Sequence, residues 1–379
     1  MALGLSNDEI QHNCIIAGHV CGDEVDLVNG KPSGAIRTSF GKESIWEDLD
    51  ALLTFIERIF VSHKAAENVT RWDATQKRVV LSELYVFPIK SCAAQRVRRW
   101  ELDRLGRGKL VVDREFALVD SSGTAMRLSI YPKMASITPV VDTETSTMTV
   151  SAPGQDSIMI SLEDSTDGQP TGSIVKVCGK ICGAKLWGDL TVSNWFSNYL
   201  GVRCWLARHD SKSGTFQLPQ QVTSILPRSP SIAFCNEQPL LLISEHAVDT
   251  LNRVLGQQNQ RTVCSRHFRP NMVVRTMGDE HQVLSGSTAQ HTEDGWTTLT
   301  VVDKKLDFQV VGRCARCSMV DVDSSTGLKG RTLGALADYR RSNGQILFGI
   351  FLQGTKESYC DNLQQQTMWL EEGDILFCQ

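Results

Sequence analysis

Val311-Gly312-Arg313-Cys314-Ala315-Arg316-Cys317-Ser318-Met319-Val320-Asp321-Val322-Asp323 is the stretch on which the reading of this chain turns. An apolar run, Phe308 to Val311, leads in, and an alternating run, Met319 to Val322, leads out. That pattern predicts strand, tight turn, strand, with both cysteines on the turn. Arginines at 313 and 316 flank the thiols. Nearby guanidinium charge lowers a thiol's pKa and favours the thiolate, which is both a nucleophile and a soft-metal ligand. On spacing alone the pair also fits half a zinc site, a redox pair, or two small buried hydrophobes.

Outward from that turn, short strands dominate. Val79–Phe87, Leu110–Val119, Met134–Val141, Thr147–Ser151, Ile158–Leu162 and Ile174–Val177 read as strands separated by turn signals such as Pro153-Gly154. Val192, Trp195, Phe196, Tyr199 and Leu200 recur at helical spacing, and Gly201 ends that helix. Cys204–Arg208 is again strand-like. Residues 209–238, rich in Pro, Ser and Gln, form a long irregular connection. Leu240–Ser244 reads as a strand, and Ser244 caps a helix running to Gly256. Strands return at Met272–Arg275, Thr297–Val302, Phe308–Val311, Ile346–Leu352 and Asp374–Phe377. Many short strands with few helices predict a mainly β fold with α additions, barrel-like in architecture.

Residues 1–62 have another texture. Ser6-Asn7-Asp8-Glu9 and Ser44-Ile45-Trp46-Glu47 are capping boxes, Gly34–Phe40 reads as a strand, and Ile45 to Phe60 carries an apolar helical stripe. Two helices and a strand cannot enclose a core of their own, so this block reads as part of something larger. Residues 63–78 are polar and aperiodic, a linker.

The chain has 379 residues, 41% hydrophobic and 22% charged, with a net charge of −4. Nothing in that balance calls for a nucleic-acid partner. No apolar run approaches the ~20 residues of a membrane span. The first residues lack the basic and apolar regions of a secretory leader. Twelve cysteines, irregularly spaced from Cys14 to Cys378, read as free thiols in a reducing, cytoplasmic setting.

Five ordered motifs carry a family resemblance. They are Tyr85-Val86-Phe87-Pro88-Ile89-Lys90-Ser91-Cys92, Asp113-Arg114-Glu115-Phe116, Leu186-Trp187-Gly188-Asp189, Phe268-Arg269-Pro270-Asn271, and the Arg313–Cys317 run followed by Val322-Asp323 and Thr326-Gly327. With them the chain resembles the C-terminal part of the molybdenum cofactor sulfurases. The resemblance implies a MOSC N-terminal β-barrel-like domain over 79–215 and a MOSC β-barrel domain over 216–379. Residues 1–62 resemble the end of the family's aminotransferase-like desulfurase domain, an α/β segment, through Ala17-Gly18-His19-Val20-Cys21-Gly22-Asp23 and Gly34–Phe40.

The resemblance also implies roles. Cys21 would carry a persulfide. Lys90, Ser91 and Arg114 would hold the phosphate of molybdenum cofactor, Arg269 and Asn271 its pterin, and Cys317 would face the metal. The function implied is replacement of a terminal molybdenum oxo group by sulfur, which activates xanthine dehydrogenase and aldehyde oxidase. A non-catalytic carrier of the cofactor, and a MOSC-type molybdenum reductase of N-hydroxylated compounds, are the other expectations. Pyridoxal phosphate serves the whole family, but residues 1–62 offer no lysine in a suitable motif to bind it, so the expectation is either an incomplete gene product or a separate desulfurase domain acting as partner.

Incubated with cysteine and pyridoxal phosphate, the chain by itself is therefore expected to release no alanine or sulfide above a protein-free blank, because the electron-sink chemistry needs the Schiff-base lysine.

Overall fold

The structure is a computed structural model. It describes residues 77–379 except 104–107, 164–172, 178–179, 211–231, 278–290, 305, 324–325 and 356–366. Of the first 76 residues it describes 27–28, 31–32 and 52–53. The chain divides into two compact units, Met1–Trp72 and Asp73–Gln379. In the first, Leu27–Val28 pairs antiparallel with Lys31–Pro32. Cys21, the 34–40 strand and most of the 45–60 helix lie outside the described residues.

In chain order the second unit contains β1 (Lys77–Val86), β2 (Gln95–Val97), β3 (Arg99–Glu101), β4 (Phe116–Val119), β5 (Thr138–Asp142), β6 (Thr147–Ala152), β7 (Gln155–Ser161), β8 (Ser173–Val177) and β9 (Lys180–Leu186). Helix α1 (Leu190–Leu200), β10 (Trp205–His209), β11 (Leu240–Ser244), α2 (Glu245–Gln257), β12 (Met272–Thr276), β13 (Thr298–Val301) and β14 (Leu306–Ala315) follow. The last are α3 (Thr332–Arg340), β15 (Arg341–Ser342), β16 (Gln345–Gly354), β17 (Trp369–Glu371) and β18 (Ile375–Cys378).

The central element is a closed barrel. Its strands run β11-β12-β1-β18-β13-β14-β16, and β16 pairs back onto β11. The β11–β12 pair is parallel, and α2 provides the crossover such a pair requires. Closure leaves no exposed sheet edge around the ring. β11 reads Leu-Leu-Leu-Ile-Ser and is buried throughout. Leu240 and Leu242 enter the barrel core, while Ile243 joins a second core beneath α2 and α3. A four-stranded sheet, β8-β9-β10-β4, and a three-stranded one, β5-β6-β7, build the rest.

The fold departs from the sequence reading at several places. β1, expected in the N-terminal block 79–215, lies inside the C-terminal barrel between β12 and β18. The two sequence blocks thus share one sheet, because β1 is apolar enough to be buried in its middle. β1 also takes in Lys77 and Arg78 from the expected linker. Leu110–Val119 is a strand only from Phe116. Val112 and Arg114 adopt positive φ, 63° and 50°, and the backbone before Phe116 turns instead of extending. Met134–Val141 opens with a 3-10 turn, Pro132–Ser136, started by a proline whose fixed φ suits it. α3 was not foreseen: Gly334 and the few buried positions, Thr332, Ala335 and Leu336, leave little apolar periodicity to read.

Gly349 sits on β16 at the seam that closes the barrel. Its φ is +80°, and a Cβ there would meet Ile243 Cγ2 and the Leu242 carbonyl oxygen, each at 2.7 Å. Gly349→Ala therefore combines backbone strain with overpacking and is expected to cost roughly 2–4 kcal/mol, read as a lower urea midpoint at unchanged slope.

Candidate functional site

Six segments from both sequence blocks converge on one cleft, partly open to solvent. Lys90, Ser91, Arg114, Arg269, Asn271 and Cys317 all line it. The structure thus brings together every expected site residue except Cys21, which is not described.

Its frame is built around Asp113, which is fully buried. The Phe87 N–H donates to Oδ1 of Asp113 at 2.8 Å, and Nη1 of Arg114 donates to Oδ2 at 2.5 Å. The same Nη1 reaches Asn271 Oδ1 at 3.1 Å, and Nη2 donates to the Arg269 carbonyl at 2.9 Å. Burial alone would lower the Arg114 pKa, but the adjacent Asp113 carboxylate raises it above the ordinary arginine value. Asn271 is equally committed. Its Oδ1 also accepts from the Leu241 N–H at 3.3 Å, and its Nδ2 donates to the Tyr85 carbonyl at 3.2 Å. Arg114 and Asn271 therefore spend their hydrogen bonds on the protein and set the positions of their neighbours.

Arg269 is different. Nη1 donates to the Cys92 carbonyl at 2.6 Å, and the guanidinium lies 4.3 Å from the centre of the Phe87 ring. Arg114 lies over the same ring, at 4.6 Å. Nη2 of Arg269 is buried and has no hydrogen-bond partner among the described residues. Burial and the neighbouring Arg114 charge push its pKa down to about 9. It stays protonated at neutral pH, as a positive charge that the site itself leaves under-compensated.

Arg316 repeats the pattern. Nε donates to the Phe348 carbonyl at 2.8 Å and Nη1 to the Phe268 carbonyl at 3.0 Å, while its buried Nη2 has no partner among the described residues. The stacked rings of Phe268 and Phe348, 4.2 Å apart, support the guanidinium. Sequence reading assigned Arg316 only an influence on the thiols. Its place in the Cys-Ala-Arg-Cys run was the signal available, but a side chain's direction out of a bulged strand cannot be read from spacing. Lys90 also lines the cleft, with Nζ donating to the Phe234 carbonyl at 2.9 Å and to the Asn236 side chain. Ser91 Oγ donates to the Met126 carbonyl at 3.2 Å.

Ser91, Arg114 and Arg269 all adopt left-handed backbone, with φ of 70°, 50° and 54°. Non-glycine residues in this region carry strain, typically about 1–3 kcal/mol each, and such residues cluster at functional sites.

The cysteines are not on a turn between two strands. Cys314 lies in β14, whose register shifts between Val310 and Gly312 and again between Arg313 and Ala315. Such bulges re-aim side chains. Cys317 precedes a 3-10 turn, Ser318–Asp321, in place of the expected second strand. Cys317 is exposed, whereas Cys314 is buried against Leu241 and Phe351. Burial raises the Cys314 thiol pKa and outweighs the charge of Arg316, contrary to the expectation that flanking arginines would lower it. Arg313 points away and donates to the Asp294 carbonyl at 3.1 Å. No cluster of three or more His, Cys, Asp or Glu side chains placed to hold a metal ion occurs among the described residues.

Two families match the chain. The MOSC N-terminal beta barrel domain matches residues 78–203, and the MOSC domain matches residues 229–375. The chain belongs to the MOSC proteins. It is homologous to the C-terminal half of molybdenum cofactor sulfurases. The molybdenum cofactor sulfurase of Oryza sativa subsp. japonica is 31% identical over 404 residues, covering 99% of this chain and 46% of that protein. That of Aspergillus oryzae is 33% identical over 392 residues, covering 92% and 46%. That of Aspergillus clavatus is 31% identical over 390 residues, covering 88% and 45%. The chain spans about half the length of these curated relatives. The two MOSC domains account for the five sequence motifs; four of them contribute residues to the cleft, and Leu186–Asp189 does not. Among the described residues, no helix is long and apolar enough to cross a membrane.

Asp113→Ala should leave the Arg114 guanidinium buried without its carboxylate. Removing one partner of such a pair typically costs about 3–5 kcal/mol. Chemical denaturation is expected to show a loss of that size, far above that of an exposed pair such as Arg96–Glu372.

Proposed function

We propose that the cleft holds molybdenum cofactor and that the chain is the cofactor-holding part of a sulfuration system. The observation that carries this reading is the pair of buried guanidinium groups lining the cleft, Arg269 and Arg316, each with an Nη2 that has no partner among the described residues, in a cleft that also exposes the Cys317 thiol. A buried, desolvated donor left unmade is costly, and an anionic ligand with several acceptor oxygens removes that cost. The phosphate and polar pterin edge of the cofactor are such a ligand. Arg269, Arg316 and Lys90 supply the charge that receives it, Ser91 shapes the loop beside it, and Arg114 and Asn271 position the donors. Cys317 faces the metal, since thiolate sulfur suits a soft or high-valent centre. Cys314, buried and with a raised pKa, supports the wall.

In this reading the cofactor is the substrate, and its terminal oxo group is exchanged for sulfur delivered as a persulfide from Cys21 or a separate pyridoxal-phosphate desulfurase. The recipients are molybdenum hydroxylases such as xanthine dehydrogenase and aldehyde oxidase, in the cytoplasm. Homology to the sulfurases along nearly the whole chain supports this assignment over the reductase.

The test is pterin content, by fluorescence after oxidation, alongside molybdenum content for purified variants. Losing a charge-assisted hydrogen bond costs about 1.5–3 kcal/mol, so Arg269→Ala and Arg316→Ala should each weaken cofactor retention roughly ten- to a hundred-fold. Cys317→Ser should keep pterin and lose or alter the metal, whereas Cys314→Ser should change little. Equal effects of the two cysteine variants would instead mark a redox or zinc pair. Wild-type protein without bound pterin after co-expression with cofactor synthesis would end the proposal.

A further inference from the structure

Behind one wall of the cleft lies a cysteine, histidine and aspartate in series. Cys264 Sγ is 3.4 Å from Nδ1 of His267. The Cys264 backbone N–H faces the same nitrogen, also at 3.4 Å, so Nδ1 is the acceptor in the neutral ring. The proton then sits on Nε2, which lies 3.6 Å from Oδ2 of Asp323. Asp323 is held in turn, because its Oδ1 accepts the Thr326 N–H at 2.8 Å. His267 is buried and also lines the cleft, while Cys264 is half-buried. This is a nucleophile, a base and a group that orients the base, the general arrangement that activates a thiol.

Among the described residues, Arg266 on the same turn and Glu83 on β1, which accepts from Ser265 Oγ at 2.5 Å, also face the group. Burial alone would raise the Cys264 pKa, but the bond to His267, its charge and Arg266 bring it down to about 6. At neutral pH the sulfur is largely thiolate.

We propose that Cys264, with His267 and Asp323, is a sulfane-sulfur acceptor that takes the outer sulfur of a donor persulfide and holds it beside the cleft. The proposal rests on the sulfuration reading above, which makes persulfides the relevant electrophiles. In the step, the Cys264 thiolate attacks the outer sulfur of R–S–SH. A Cys264–sulfur bond forms and the donor's sulfur–sulfur bond breaks. R–S⁻ leaves with the electron pair and takes a proton from the His267 imidazolium. The sulfane sulfur keeps its oxidation level, so no oxidant or reductant is consumed. Attack at sulfur creates no oxyanion, so the three side chains suffice without a hole of N–H donors.

The experiment exposes the full chain to glutathione persulfide at neutral pH and follows one added sulfur per peptide by mass spectrometry. With His267 beside it as base, Cys264 should gain sulfur roughly tenfold faster than the exposed Cys317. His267→Gln and Asp323→Asn should each slow Cys264 without slowing Cys317, and should move the pH midpoint of Cys264 alkylation upward from about 6. Cys264→Ser should abolish that labelled peptide while pterin retention stays as in the wild type. Labelling of Cys264 no faster than Cys317, or a rate and pH midpoint unchanged in both His267 and Asp323 variants, would overturn the proposal. Pterin retention is read separately, so its loss in the wild type would count against the cofactor reading instead.

Discussion

One buried carboxylate holds the site together. Asp113 takes the Phe87 N–H with one oxygen and the Arg114 guanidinium with the other, and Arg114 passes the constraint to Asn271 and the Arg269 carbonyl. Three segments far apart in sequence are thereby fixed to one another. An isolated buried ion pair is weak evidence of stability, because desolvation offsets attraction. Its value here is positional: with Arg114 committed to the protein, Arg269 and Arg316 are left as the guanidinium groups with a buried Nη2 that has no partner among the described residues.

That division of labour explains why identical residue types do different work. Arg114 and Arg269 both lie over the Phe87 ring, yet one completes an internal network and the other keeps an Nη2 with no partner among the described residues. The left-handed backbone at Ser91, Arg114 and Arg269 is the conformational counterpart of that network. The strain persists because hydrogen bonds on either side over-determine it. The same logic reaches the second polar chain, where the Thr326 N–H fixes Asp323 and Asp323 in turn faces His267.

Much of this was legible in the sequence. Alternation and turn residues marked most strands, and Ser244 and Gly201 marked the ends of α2 and α1. Lys90, Ser91, Arg114, Arg269, Asn271 and Cys317 were all found, because each sits in a short motif, and they do share one cleft. What was hidden depends on three-dimensional context. Spacing could not say that β14 bulges twice and sends Cys314 inward, or that Arg316 turns onto two phenylalanine rings. It could not show that Asn271 is a lock more than a contact. Periodicity is a local signal, and β1's place within a barrel assembled from residues nearly two hundred positions later is not. Cys264 and His267 escaped notice because neither belongs to a recognisable motif.

The position of β1 has a consequence for how the molecule is made. Lys77–Val86 pairs with Met272–Thr276 on one side and with Ile375–Cys378 on the other. During synthesis the start of the first barrel strand, Lys77–Val80, must therefore wait for its Ile375–Cys378 partner until that strand has left the ribosome. Contacts of such sequence separation make folding slow, and an apolar edge exposed meanwhile invites wrong pairing. The small sheets between them, β5-β6-β7 and β8-β9-β10-β4, rest on shorter-range pairings and can form in the interval. The ring thus closes as the final event, and the cleft, whose walls come from both ends of that interval, is assembled with it.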